Sequence, residues 1–172
     1  AASRDIIDPY ASLHLPRCWG DGTSAAADGT QMDIYDDNLL AAYHFRYGRK
    51  GGIAYHHISD TYAALFSHFI ACGVWEAVYI LDGLIKNTSS LQPDRIHADT
   101  QGQSAPVFGL STLMGIELMP RIRNWKNLRF YRPHKGVRYK HIDRLFTDTV
   151  DWKIIEDHWQ DLMQVAISIQ AG

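Results

Sequence analysis

Two aspartates stand where carboxylates could gather a metal ion. Asp28 ends the small, polar run that begins at Gly20 and is followed by Gly29; Asp99 lies at the end of Pro93–Thr100, just before a glycine turn at Gly102. In mixed α/β sheets, ligands and catalytic groups collect at the C-terminal ends of strands. Two carboxylates brought together there repel unless a cation lies between them. Oxygen-only ligation selects a hard ion, Mg²⁺ or Mn²⁺, over Zn²⁺. An Asp beside a Gly is also a common turn residue, so spacing alone leaves both readings open.

Other reactive side chains offer less. His56 and His57 are neighbours on a predicted strand, so their rings point to opposite faces and cannot share an ion. His97 and Asp99 are two apart and share a face, which leaves a small-molecule metal hydrolase as one reading. Cys18 and Cys72 form no CxxC and no disulfide framework, which gives zinc little support and fits reduced thiols. There is no GxSxG elbow, P-loop or GxGxxG. Asp82 reads as an exposed helix residue.

Charge is uneven along the chain. The net charge is −2, and residues 1–100 hold 7 Lys/Arg against 12 Asp/Glu. From Arg121 to Arg144 the balance reverses, with nine basic residues and one acid, Asp143. Such clustering attracts polyanions whatever the overall charge. Trp125, Phe130, Tyr131 and Tyr139 are interleaved and offer flat surfaces for sugars or bases. Arg121, Arg123, Lys126 and Arg129 are the candidate phosphate contacts.

The elements that must position these residues read as a mixed α/β sheet with covering helices. Residues 36–45 predict a short helix capped by Asp36 or Asp37, Ile53–Ser59 a strand, and Trp75–Lys86 a helix with Glu76 near its positive end. Residues 62–74 fit either a helix or a strand. Pro93–Thr100 predicts a short strand and Ala105–Met114 a helix stopped at Gly115. Ile116–Ile122 is expected to be an edge or bulged strand because of Pro120, and Trp152–Ile169 a helix with one apolar face. The length suits one domain over residues 1–172. No apolar run approaches the ~20 residues of a membrane span, and Ala1–Asp5 lacks a secretory profile. A start without Met is expected of a piece of a longer protein.

Several segments occur together in one order: WGDGTSAAADG (Trp19–Gly29), RYGRKGGIAYHHISD (Arg46–Asp60), YILDGLI (Tyr79–Ile85), HADTQG (His97–Gly102) and VFGLSTLMGIELMPRIR (Val107–Arg123). Together they resemble the catalytic region of the Tn3 family of replicative transposases, over roughly residues 15 to 170. The resemblance implies a ribonuclease-H-like domain with an Asp-Asp-Glu triad, in which Asp28 matches the first Asp and Asp99 the second. It also implies that Ile53–Ser59 and Leu65–Cys72 form a hairpin. Two positions depart from the family pattern: Ala26 and Ala27 stand where serines are usual, and Ala98 where Thr is usual. Neither Glu117 nor Glu156 is assigned as the third acid, which is expected beyond the end of the chain.

The activity so implied is Mg²⁺- or Mn²⁺-dependent DNA cleavage and strand transfer at transposon ends. The expected partners are inverted-repeat ends and target DNA, with several copies assembled on DNA in the bacterial cytoplasm and no membrane. A fragment with two of three acids is expected to cut DNA poorly alone. Rival readings are a related nuclease that cleaves without joining, and a catalytically silent DNA-binding or assembly module.

Overall fold

The computed structural model describes residues 2–35, 37–45 and 48–172. Asp36, Arg46 and Tyr47, which figure in the expected helix cap and in one family segment, lie outside the described residues. The chain divides into two units, Ala1–Arg121 and Ile122–Gly172.

The first unit opens with α1 (Ala2–Ala11) and α2 (His14–Trp19) and continues into β1 (Ser24–Met32), β2 (Ala42–His44), β3 (Arg49–Ser59) and β4 (Ala64–Ala71). Then come α3 (Ala77–Ile85), β5 (Arg95–Ala98), α4 (Ala105–Leu113) and β6 (Glu117–Pro120). The main sheet runs β4-β3-β1-β5-β6, with β2 paired to the start of β3. β1 is antiparallel to β3 and parallel to β5, and β5 is parallel to β6. This is a mixed sheet with flanking helices, as the residue pattern predicts, and it agrees with the ribonuclease-H-like domain that the resemblance implies.

Alternation explains β1. Ala25 and Ala27 are buried, while Ala26, Asp28 and Thr30 are exposed. Small side chains suit a central strand against which a helix must approach closely. Ala27, Ile53, Tyr55, Ile96, Ala98 and Leu118 form one side of the core, and Ala77, Ile80, Leu81, Leu84 and Val107 from α3 and α4 close over it. Burial of each large aliphatic chain contributes about 1.5–3 kcal/mol. A smaller cluster joins Ile7 of α1 to Ala25, Ala63 and Leu65. Helix α1, which contains Pro9, is not foreseen from the residue pattern.

Within residues 62–74, Ala64–Ala71 form a strand. Phe66 pairs with His57 but Ala64 pairs with Ile58, so Leu65 is an extra residue bulged out of the ladder. That bulge breaks the period of two, and Leu65 and Ile70 are both buried although they are an odd number apart. Over the described residues 37–45 the expected helix is not formed. Asn38 makes turns there, accepting at its side chain from the Leu40 amide and at its backbone from the Ala41 amide. Residues 42–44 then pair with β3. Leu39 is fully exposed, so no apolar face rewards a helix. Pro120 does sit on an edge strand.

His57 of β3 is fully buried and donates from Nε2 to the Ile80 carbonyl at 2.9 Å, while Nδ1 has no partner. Gly83 is required beside it, because a Cβ there would fall 2.3 Å from the His57 ring. Burial holds the imidazole pKa below its usual value. The unfolded chain therefore binds the proton more readily, and the stability from neutral His57 is complete above about pH 6.5 and lost as pH falls below it. Thermal unfolding should show the chain losing more stability than a His57→Gln variant between pH 7.5 and 5. Parallel losses would remove His57 as the cause.

The second unit holds β7 (Phe130–Arg132), β8 (Phe146–Thr149), α5 (Trp152–Asp157) and α6 (Trp159–Ala171). β7 and β8 are parallel. The single helix expected over 152–169 is two helices that meet at His158. Along the expected apolar face Ile155, Met163 and Ala166 are the shielded residues, whereas Trp152 and Trp159 are exposed. No helix among the described residues is long and apolar enough to cross a membrane.

Candidate active site

The β1–β5 register matches Ala25 with Ile96, Ala26 with His97 and Ala27 with Ala98. The β5–β6 register matches Ala98 with Pro120. Asp28, Asp99 and Arg121 are each the next residue along. The Arg121 amide donates to the Ala98 carbonyl at 2.8 Å, tying its backbone beside Asp99. On the other side of β1, His56 stands opposite Asp28, and Ser67 opposite His56. Residues opposite one another on paired strands lie on one face with Cβ atoms about 5 Å apart. Adjacent strands thus bring both sequence-predicted acids to neighbouring positions, flanked by a histidine and an arginine.

Local bonds hold each carboxylate. Asp28 Oδ1 accepts from the Gly29 amide at 2.9 Å, and Asp99 Oδ1 from the Gln101 amide at 2.9 Å, capping the turn Thr100–Gly102. Asp28 is exposed and Asp99 half-buried. His56 shares a 2.9 Å hydrogen bond between Nδ1 and Ser67 Oγ. His57 points into the core while His56 bonds Ser67 on the other face, so the two adjacent histidines do face opposite sides; His97 is exposed.

Tyr55 lies beneath this row. It is 1% exposed and its hydroxyl has no hydrogen-bond partner. Burial pushes its pKa far up, and the negative charges of Asp99, Glu76 and Asp28 push it further. Glu76 precedes α3, and a Cβ on Gly29 would fall 2.5 Å from its Oε2. Gly29 is therefore the opening through which that carboxylate approaches β1. The sequence places Glu76 correctly at a helix start but gives no sign that it comes near Asp28.

Asp28 and Asp99 offer hard oxygen donors. This set fits a divalent cation such as Mg²⁺ or Mn²⁺ and suits Zn²⁺ poorly. Among the described residues no three His, Cys, Asp or Glu side chains form a complete metal cage. Nothing there supplies His97 and Asp99 with a third ligand. Glu117 pairs with Arg95 at 2.6 Å, at the end of β6 remote from Asp99. Glu156 lies on α5 of the second unit.

The basic stretch is divided by the structure. Arg121 belongs to the first unit and the rest to the second. Arg123, Lys126 and Arg129 are exposed. Lys126 and Arg129 line an open cleft with Arg144, Trp125 and Thr147. Arg132 has a different task. It is buried and donates to the carbonyls of Val137, Phe146 and Asp143, with an ion pair to Asp143 at 2.9 Å. The Tyr139 amide and the Arg132 guanidinium hold the Asp143 carboxyl below its usual pKa. The one acid of the stretch is thus the partner of its one buried base.

The family model described as Tn3 transposase DDE domain matches residues 1–172. The transposase for transposon Tn1546 of Enterococcus faecium is 29% identical over 168 residues, covering 97% of this chain and 17% of that protein. The transposase for transposon Tn501 of Pseudomonas aeruginosa is 33% identical over 174 residues, covering 100% of this chain and 18% of that protein. The transposase for transposon Tn2501 of Escherichia coli is 31% identical, with 100% and 18% covered. The chain spans less than a fifth of the length of these relatives.

Proposed function

Because the chain belongs to the Tn3 transposase DDE domain family, we propose that it is part of the catalytic domain of a DNA transposase, which cuts at transposon ends and joins the freed 3′ ends to target DNA. The observation that supports this reading is the β1–β5 register, which pairs Ala27 with Ala98, the residues just before Asp28 and Asp99. Asp28 and Asp99 would hold Mg²⁺ or Mn²⁺. Such an ion supplies positive charge to the phosphoryl oxygens at the scissile bond. The amide bonds to Asp28 and Asp99 fix the direction of their carboxylates. Arg121, in the same row, is the phosphate contact nearest the acids in register, set by charge and not by base identity.

Arg123, Lys126 and Arg129 of the second unit are further phosphate contacts, joined by Arg144. The partners are transposon ends and target DNA, with several copies of the protein assembled on them in a bacterial cytoplasm. The test is Mg²⁺-dependent nicking and joining of transposon-end DNA by the transposase that carries this domain. Nicking without joining would favour a nuclease, and binding without cutting an assembly module.

A second expectation concerns the basic residues. Replacing Arg121 and Arg123 by Ala should weaken binding equally on end and non-end DNA and reduce the salt slope by about one unit per lost contact. Titrations at two salt concentrations read this directly. An unchanged affinity would return these arginines to ordinary surface.

A further inference from the structure

The open cleft of the second unit is lined by two stretches of chain, one supplying Trp125, Lys126 and Arg129 and the other Arg144 and Thr147. The parallel pairing of β7 with β8 explains why these stretches meet. Phe130 pairs with Phe146, so the residues that lead into each strand, Arg129 and Leu145, enter side by side. Tyr131 then pairs with Asp148, which leaves Thr147 as an extra residue bulged out of the ladder. Bulges re-aim side chains, and here the bulged residue lines the cleft. Before the first stretch, Asn124 takes the left-handed conformation, with φ 52°, and turns the chain into Trp125–Asn127. The Leu128 amide donates to the Trp125 carbonyl at 3.1 Å, which holds the backbone while the indole stays 62% exposed.

Three cations in one cleft repel one another, and none of the described residues lining it is an acid. Among the described residues Lys126, Arg129 and Arg144 join no ion pair. Asp143, the acid beside Arg144 in sequence, is taken by Arg132 and the Tyr139 amide. Such a cluster is balanced by a polyanion. The indole adds a demand that phosphates alone do not meet, because its broad apolar face gains when a flat ring covers it. Bases inside a duplex are stacked on one another and offer no free face to an outside ring. In a single strand each base presents one, and stacking on an aromatic side chain tolerates any sequence. The cleft is also narrow, since its two stretches lead into strands spaced about 4.8 Å apart. We propose that this cleft binds an unpaired DNA strand, with a base stacked on Trp125 and the neighbouring phosphates on Lys126, Arg129 and Arg144. The Thr147 hydroxyl is a further donor to that backbone. The inference rests on the reading of Lys126 and Arg129 as phosphate contacts, and it narrows the DNA they meet to a single strand.

The test is fluorescence anisotropy of the chain with three labelled DNAs of equal length: a short oligothymidine, an abasic strand and a duplex. The abasic strand keeps the phosphates and removes the bases. Loss of an aromatic platform costs about tenfold in affinity per stacked base. The unsubstituted chain should therefore bind oligothymidine about tenfold more tightly than the abasic strand. Trp125→Ala should erase that preference and leave the affinities for the abasic strand and the duplex unchanged, while Trp125→Phe keeps part of the preference. Lys126→Ala and Arg129→Ala should weaken binding of both single strands and lower the salt slope by about 0.7 for each lost contact. Equal binding of oligothymidine and the abasic strand by the unsubstituted chain, or no binding of either, would overturn the proposal without any variant. If Trp125→Ala binds oligothymidine like the parent while the two cation variants weaken it, stacking is refuted and the phosphate reading stands. A loss on the duplex as large as that on oligothymidine would refute the unpaired strand as the ligand. Unchanged affinity in both cation variants would remove Lys126 and Arg129 as phosphate contacts, and the proposal with them. Should Trp125→Ala lower the thermal midpoint, Trp125→Phe decides: complete loss of the preference in that variant, with its midpoint intact, overturns the role of the ring.

Discussion

Asp28→Asn in the transposase that carries this domain should reduce Mg²⁺-dependent strand cleavage by about a thousandfold or more, and Asp99→Asn should do the same. An ion that stabilises the transition state contributes several kcal/mol, and each 1.36 kcal/mol is tenfold in rate. Asn keeps the volume of the side chain but takes away the charge that retains the ion. Each Asp side chain accepts from a nearby backbone amide, which an Asn carbonyl can also do, so the fold should persist. DNA affinity should hold or rise, since a negative charge facing phosphates has been removed. The double variant should be no worse than either single one, because residues serving one ion act as a unit. Cleavage within tenfold of the parent for either variant would end the assignment of that residue.

Arg132→Ala should destabilise the second unit by about 2–3 kcal/mol, from loss of charged hydrogen bonds to carbonyls left without that donor. Its guanidinium ties three separate points, Val137, Asp143 and Phe146, to the end of β7. Its cationic carbon also lies 5.7 Å from the centre of the Phe146 ring, which stacks on Tyr139 at 4.3 Å. Removing the side chain leaves a short parallel pair without the group that joins its strands to the intervening loop. Faster amide hydrogen exchange across residues 130–149, with exchange in residues 53–59 unchanged, would be the signature. Arg129→Ala, on an exposed residue of the same stretch, should leave both untouched. Equal exchange in the Arg132 variant and the parent would show that the loop is held by other contacts.

The contrast between Arg129 and Arg132 shows where the sequence is legible and where it is not. Both are arginines in the same charge run, and nothing in the pattern distinguishes a phosphate contact from a buried tie. The difference arises from tertiary position: Asp143 and three carbonyls converge on one residue and not the other. The sheet itself was more readable, because alternation over Ile53–Ser59 and the acid-then-glycine ends of two segments are local signals. The bulge at Leu65 hid β4 by breaking its period, and that strand was recovered only through family resemblance. Residues 36–45 misled because Leu39 and Leu40 imitate a helix face that has nothing to pack on. Glu76 was legible as a helix-start acid, but its approach to β1 depends on the missing side chain of Gly29, which a one-dimensional pattern does not reveal.

The parallel pairing of β1 with β5 also fixes an order of assembly. β1, β3 and β4 are joined by antiparallel neighbours close in sequence, whereas β5 reaches β1 only after α3 has crossed the sheet. Parallel contacts between distant segments form late because loop closure precedes any reward from pairing. During synthesis, N-terminal segments emerge first. A nascent chain therefore carries Asp28 on a partly formed sheet well before Asp99 arrives beside it. The two acids become neighbours only with the docking of β5, so a chain still short of that strand lacks the pair proposed to hold the ion.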